Sequence, residues 1–214
     1  RAFAAYQSRG IVGLVPPVEL AQEIDRTIVG LVQGSLDKAL KIAGRLARHA
    51  PEAPEPVRWS SYRALARAAL MSSNYPEARD AYLKARKLTG NDRISAGRID
   101  RTLVDVYMYL GNFAESERSA KTALRTFTAL KDKSEIAKAR VNYANLLHRQ
   151  DRHREAELLY RRAAEHFEST GDELSAARCW FNRANTLVQL FRFPEAEELY
   201  RKSEAVYLKH QQEL

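Results

Sequence analysis

Four amides are the side chains of this chain best suited to recognition chemistry. Asn142 and Asn145 recur 40 residues later as Asn182 and Asn185. A carboxamide offers both a donor and an acceptor, so it can pair with a peptide unit whatever side chain that unit carries. Amides on an exposed helix face have few structural uses, although one of them can instead bond to a neighbouring helix. Seven cations, Arg63, Arg67, Arg98, Arg101, Lys138, Arg149 and Arg178, share the phase of these amides. Such groups would select acidic side chains or a terminal carboxylate.

The other reactive types point to less. His148, Asp151 and His153 lack the i, i+4 histidine pair of a helical zinc site, and packed histidines are the expectation. Cys179 stands near a helix start, where its thiol would be modestly acidified, and beside Trp180, where it would fill space. Glycine-rich phosphate loops, nucleophile elbows and paired-carboxylate signatures do not occur in the sequence. No enzyme is expected, and no cofactor or metal.

The frame that must position these residues is a repeat. Ala137–Asp151 aligns with Ala177–Phe191, and Glu155-Ala156-Glu157-Leu158-Leu159-Tyr160-Arg161 aligns with Glu195-Ala196-Glu197-Glu198-Leu199-Tyr200-Arg201. Self-similarity at a fixed period of this size marks a solenoid. Leu36, Tyr75, Phe113, His153 and Phe193, spaced by 39, 38, 40 and 40, mark the approach to the second helix of five helix pairs. Three residues past each anchor stand Ala39, Ala78, Ser116, Ala156 and Ala196; seven past it stand Ala43, Tyr82, Ala120, Tyr160 and Tyr200. Ten past it stand Leu46, Ala85, Ala123, Ala163 and Ser203, which completes one helical face. Small residues let helices approach, and the ring one turn away fills the groove between units. Nine before the anchor, Ala66, Ala144 and Ala184 supply the facing small residue, with Val104 and Thr27 bulkier.

Punctuation agrees with the repeat. Pro76 and Pro194 follow their anchors, where a helix's first turn tolerates proline. Gly90, Gly171 and Pro51 fall where second helices should stop, and Asp132 with Glu135 has the spacing of a capping box. The expected units are 18–51, 57–90, 94–131, 133–171 and 173–210. Before them, 1–17 reads as a helix tail, Arg1 to Gly10, and a linker broken between Gly13 and Pro17.

Composition sets outer bounds. With 45% hydrophobic and 29% charged residues among 214, the chain is neither disorder-prone nor membrane-like. One cysteine excludes an internal disulfide and fits a reducing, cytoplasmic setting. The arginine at position 1 leads us to expect an excised piece of a longer protein. A net charge of +8 admits nucleic acid, an anionic surface or an acidic partner.

These residues resemble the tetratricopeptide repeat, with its small residues at fixed offsets and aromatics between them, over about Val18 to His210. The match is close in the last two units and weaker in the first, where Leu36, Ala43 and Leu46 replace expected types. The units are longer than the standard repeat of about 34 residues. Asn142 to Asp151, running into Glu155-Ala156 with Tyr160 beyond, is similar to the repeat region that precedes the caspase-like peptidase domain of bacterial CHAT proteins. The resemblance implies an all-α, right-handed superhelix whose first helices line a concave surface. It also implies that Asn142 and Asn182 hold a ligand backbone, and that any catalytic residues lie beyond Leu214. On that surface the seven cations face two acids, Asp25 and Asp105, and the first helix contributes Ala21, Ile24, Asp25, Ile28, Leu31 and Val32. A peptide-binding scaffold for acidic or carboxylate-bearing segments is the leading expectation. Nucleic-acid binding is the alternative, weakened because units two and three lack the amides that a one-base-per-repeat code would need. Homo-oligomers through the array ends are a further expectation.

Overall fold

A computed structural model describes residues 17–212; the expected helix tail and chain break before them lie outside the described residues. The described residues are all-α, ten α-helices with no strand. The helices are α1 (Pro17–Gly34), α2 (Leu36–His49), α3 (Glu55–Met71), α4 (Tyr75–Lys87), α5 (Arg93–Tyr109), α6 (Phe113–Ala129), α7 (Lys133–Arg149), α8 (His153–Ser169), α9 (Glu173–Gln189) and α10 (Phe193–Gln212). A single 3-10 turn, Ala50–Glu52, follows α2 at Pro51. The five anchors, expected one residue before the second helices, are instead the first residues of α2, α4, α6, α8 and α10, so each of these helices begins one residue earlier than expected.

Most helices stop and restart through one recurring turn. Its third residue adopts a left-handed backbone, at Ser73, Gly111, Lys131, Asp151, Gly171 and Phe191. The next residue's N–H then reaches back to a carbonyl five positions earlier, as from Asp132 to Phe127 at 3.1 Å and from Asp172 to Phe167 at 3.0 Å. That same residue caps the following helix. Asn112, Asp132 and Asp172 accept from the N–H groups of Glu115, Glu135 and Ser175 at 3.3, 3.0 and 3.0 Å. Half of the expected capping box is therefore present: Asp132 caps α7, but the Glu135 carboxylate turns away into the protein.

The chain forms two compact units, one ending at Asp92 and the other beginning at Arg93. In the first, α1 packs on α2 and α3, and α3 on α4, around Leu20, Ile24, Ile28, Ala39, Ala43, Leu46 and Val57. Here the expected phase of α1 is corrected: Ala21, Ile24 and Ile28 are buried and Thr27 is exposed. The bulkier Thr27 does not enter the helix contact, and the branched side chains on the other phase fill the space instead.

In the second unit, α5 packs on α6 and α7, α7 on α8, α8 on α9, and α9 on α10. Ala120, Ala123, Ala144, Ala156, Ala163, Ala184 and Ala196 are buried at the contacts, and the large fillers are Phe127, Tyr160, Phe167 and Trp180. Gly97 has an internal reason, since a Cβ there would stand 2.9 Å from the Phe127 ring. Cys179 is fully buried in this core, and burial pushes its thiol up to about 12. The expected acidification fails because desolvation of a thiolate outweighs the helix start, more than a turn away.

Candidate functional site

The first helices of the second unit, α5, α7 and α9, carry most of the expected binding residues, and their environments differ sharply. Asn142 on α7 donates its amide to Asp105 Oδ2 at 2.7 Å and to the Arg101 carbonyl at 3.3 Å, both on α5. It bridges two helices. Asn145 and Asn185 are each engaged on one side only: Tyr160 and Tyr200 donate their hydroxyls to the respective Oδ1 atoms at 2.6 Å. The side chain of Asn182, half-buried on α9, makes no hydrogen bond with any described residue. Locally identical amides therefore end in three different states.

The cations divide in the same way. Glu135, only 3% exposed, gathers three of them: Arg98 Nε at 2.9 Å, Arg101 Nε at 3.4 Å and Lys138 Nζ at 3.7 Å. Burial of a carboxylate among guanidinium groups is tolerable because their field replaces water. From the sequence, Glu135 is expected only as the capping-box partner of Asp132 and not as a partner of these cations. It stands one helical turn before Lys138, on the phase used for the cations, and that spacing is the signal that would have found it. In the first unit, Arg63 pairs with Asp25 at 2.5 Å and stacks over Trp59 at 4.2 Å, while Arg67 is exposed. Arg149 lies over the Tyr109 ring at 5.7 Å. Arg178 is exposed and lends its field to Asp105. Four of the seven cations are thus answered by protein carboxylates, and the basicity offered to a ligand is smaller than the sequence count.

Asp105 is the second unusual group. Its Oδ1 is buried and has no hydrogen-bond partner. Burial pushes its carboxyl up to about 6, against the pull of Arg101, Arg178 and the Asn142 amide. The repeat explains the orphan oxygen. Asp105 and Asn145 occupy the same place in successive units, but where Tyr160 serves Asn145, the corresponding residue facing Asp105 is Ala120.

A cavity of about 500 Å3 opens among α5, α7, α8 and α9. Its lining includes Asn145, Asn182, Arg149, His148 and Gln189. Of the eleven expected binding residues, this cavity brings together Asn145, Asn182 and Arg149 and leaves the others outside its lining. His148 Nδ1 meets the Thr186 hydroxyl at 3.0 Å, and its ring lies 5.0 Å from that of His153. Burial, reinforced by His153, lowers the His148 pKa and favours the neutral ring at neutral pH. His153 Nε2 stands 3.5 Å from Asp151 Oδ1. The Asn145 oxygen accepts from Tyr160 with one lone pair, and its NH2 group is a free donor. With the amides of Asn182 and Gln189 and the Arg149 guanidinium, the cavity wall offers several donors beside the exposed Asp151 carboxylate. It suits a ligand rich in acceptors, such as peptide carbonyls or a carboxylate.

Comparisons with known proteins agree with this architecture. A tetratricopeptide repeat family matches residues 95–169 and again 135–209, and a second tetratricopeptide repeat family matches 31–93. No curated protein matches the chain. Among solved structures, BtubC (BKLC) from P. vanneervenii is similar with a TM-score of 0.75 at 17% identity, covering 98% of this chain and 86% of that one. A Rap protein complexed with competence and sporulation factor gives 0.78 at 15%, covering 98% of this chain and 59% of the other. Bacillus thuringiensis PlcR in complex with the peptide PapR7 and DNA gives 0.70 at 17%, covering 98% and 75%. At these identities the likeness is one of fold.

Proposed function

This chain belongs to the tetratricopeptide repeat family, and on that premise we propose that it is a protein-interaction scaffold that seats an extended peptide in the cavity of its second unit. The observation that carries the reading is that Asn145, Asn182, Gln189 and Arg149 line one cavity, with one lone pair of the Asn145 oxygen taken by Tyr160. Such a wall favours main-chain carbonyls along the ligand and a carboxylate near Arg149. Support comes from the fold neighbours solved with a peptide, PapR7, or with competence and sporulation factor bound. The acidic preference rests on Arg149, the one expected cation in the cavity lining, because Arg98, Arg101 and Lys138 already have an acidic partner in Glu135. The resemblance of Asn142 to Tyr160 to the region ahead of bacterial CHAT peptidase domains extends the proposal. Peptide seating would then govern a caspase-like domain following in the same cytoplasmic polypeptide.

The test is fluorescence anisotropy with labelled short peptides carrying free or amidated C-termini. A single-stranded oligonucleotide serves as the competing probe. Free carboxylates should bind more tightly, and Asn182→Ala should weaken binding by about tenfold, the loss of one or two hydrogen bonds to a charged or carbonyl acceptor. The melting temperature should not move. Saturable oligonucleotide binding with a steep salt slope and no peptide binding would replace this reading with nucleic-acid recognition.

A further inference from the structure

A second cavity, of about 1080 Å3, lies wholly within the first compact unit. Its walls are α2 and α4, and Tyr62 and Leu65 of α3 contribute to its floor. Along α2 two stripes run side by side. Leu40, Gly44 and Ala47 form an apolar one; Lys41, Arg45 and Arg48, each one residue further on, form a cationic one. Both have the i, i+4, i+7 spacing of a single helix face. On α4 the rim adds Lys84, which lies over the Tyr62 ring at 5.5 Å.

The charge on this rim is not answered from within. Lys41, Arg45 and Arg48 make no ion pair with any described residue. Of the two acids of the lining, Asp80 pairs with Arg79 at 2.8 Å, and Glu77 accepts from the neutral cap amide of Asn74 at 2.8 Å and keeps its charge, one acid against the rim's four cations. Gly44 adds an independent point. Glycine inside a helix is destabilising relative to alanine, and a Cβ at Gly44 would meet nothing within 4 Å, so the groove is widened there without serving a contact inside the fold. Gly97, by contrast, is explained by Phe127. The space beside Gly44 is open, as it is beside Gly30 in α1.

We propose that this groove docks an acidic amphipathic α-helix of a partner protein, its apolar ridge lying on Leu40, Gly44 and Leu65 and its carboxylates facing Lys41, Arg45, Arg48 and Lys84. A helix fits better than an extended strand because small residues spaced by three let two helix axes approach closely, with ridges entering grooves. Residues 1–16 of this chain are a poorer occupant: they hold Arg1 and Arg9 and no acid, the same sign as the rim.

The probe is a fluorescein-labelled, lactam-stapled helix with leucine on one face and glutamate on the other, against the same helix carrying lysine in place of glutamate. The acidic helix should bind saturably, weaken as salt rises, and bind the Asn182→Ala protein as it binds the original. This last arm separates the groove from the peptide cavity. Gly44→Leu should weaken binding at least tenfold while the melting temperature holds or rises, because the added side chain enters the groove and not the core. Arg45→Glu with Arg48→Glu, both exposed or half-buried at the rim, should abolish binding of the acidic helix without unfolding the protein. The proposal is overturned by equal binding of the lysine helix, by indifference to both changes, or by an oligonucleotide that displaces the acidic helix.

Discussion

Asp105→Asn should make this protein more stable at neutral pH, and the structure says by how much. The carboxyl sits at about 6 against an ordinary value of 3.8, with burial the largest cause. A carboxylate whose folded pKa is raised stabilises the fold fully only below the unfolded value, and that contribution is lost as pH rises through the folded value. The window for Asp105 is therefore from about pH 4 to pH 6. The rise from 3.8 to about 6, taken at about 1.36 kcal/mol for each pH unit, bounds the loss at about 3 kcal/mol, and partial exposure reduces it toward about 1–2 kcal/mol. The opposing pull of Arg101 and Arg178 is already contained in that net rise. Asparagine keeps an acceptor for the Asn142 amide at 2.7 Å and carries no charge to desolvate. For a chain of this length each kcal/mol moves the midpoint by about 2–4 °C. Thermal melts by circular dichroism should show the variant several degrees higher at about pH 7.5, with the gap closing below about pH 4. A gap of the opposite sign, or one that ignores pH, would refute the assignment of Asp105 as a desolvated carboxylate.

The asparagine rows give a paired test. Asn142→Ala removes a bond to a half-buried carboxylate and should cost about 1.5–3 kcal/mol in chemical denaturation, whereas Asn182→Ala should cost under about 0.5 kcal/mol. Lys131→Gly should raise stability by about 1 kcal/mol, because Lys131 holds a φ of 55° that Gly111 and Gly171 fill without strain in the same turn. The check is the denaturation midpoint at constant slope.

The helix starts and the alternation of small and large residues were legible because packing of neighbouring helices repeats the same local demand at Ala39, Ala78, Ser116, Ala156 and Ala196. The turns were half legible. Gly171 announced its left-handed backbone, but Ser73, Lys131, Asp151 and Phe191 adopt the same conformation because the turn's hydrogen bonds outweigh the strain of a side chain there. The candidate site was legible by phase and not by partner. Arg98 and Glu135 are 37 residues apart and meet at 2.9 Å, a distance no local pattern encodes. Asn142 and Asn182 have similar neighbours in sequence; one meets Asp105 of the preceding repeat, and the other shares a cavity with Asn145, whose oxygen Tyr160 holds. Phase identifies which residues can face a groove, and only the next repeat decides whether they are spent.

The hydroxyl that Tyr160 presents to Asn145 has a consequence for how such an array can diversify. The Tyr160 phenol on α8 takes up one lone pair of the Asn145 amide oxygen on α7, whereas alanine at the same station, Ala120, leaves the buried Asp105 Oδ1 without a partner. The second helix of a repeat thus sets how much of the first helix's polar capacity is already used, in the case of Tyr160 from a position that itself lines the cavity. Replacing Tyr160 by phenylalanine would free that lone pair and leave the Asn145 side chain itself unchanged.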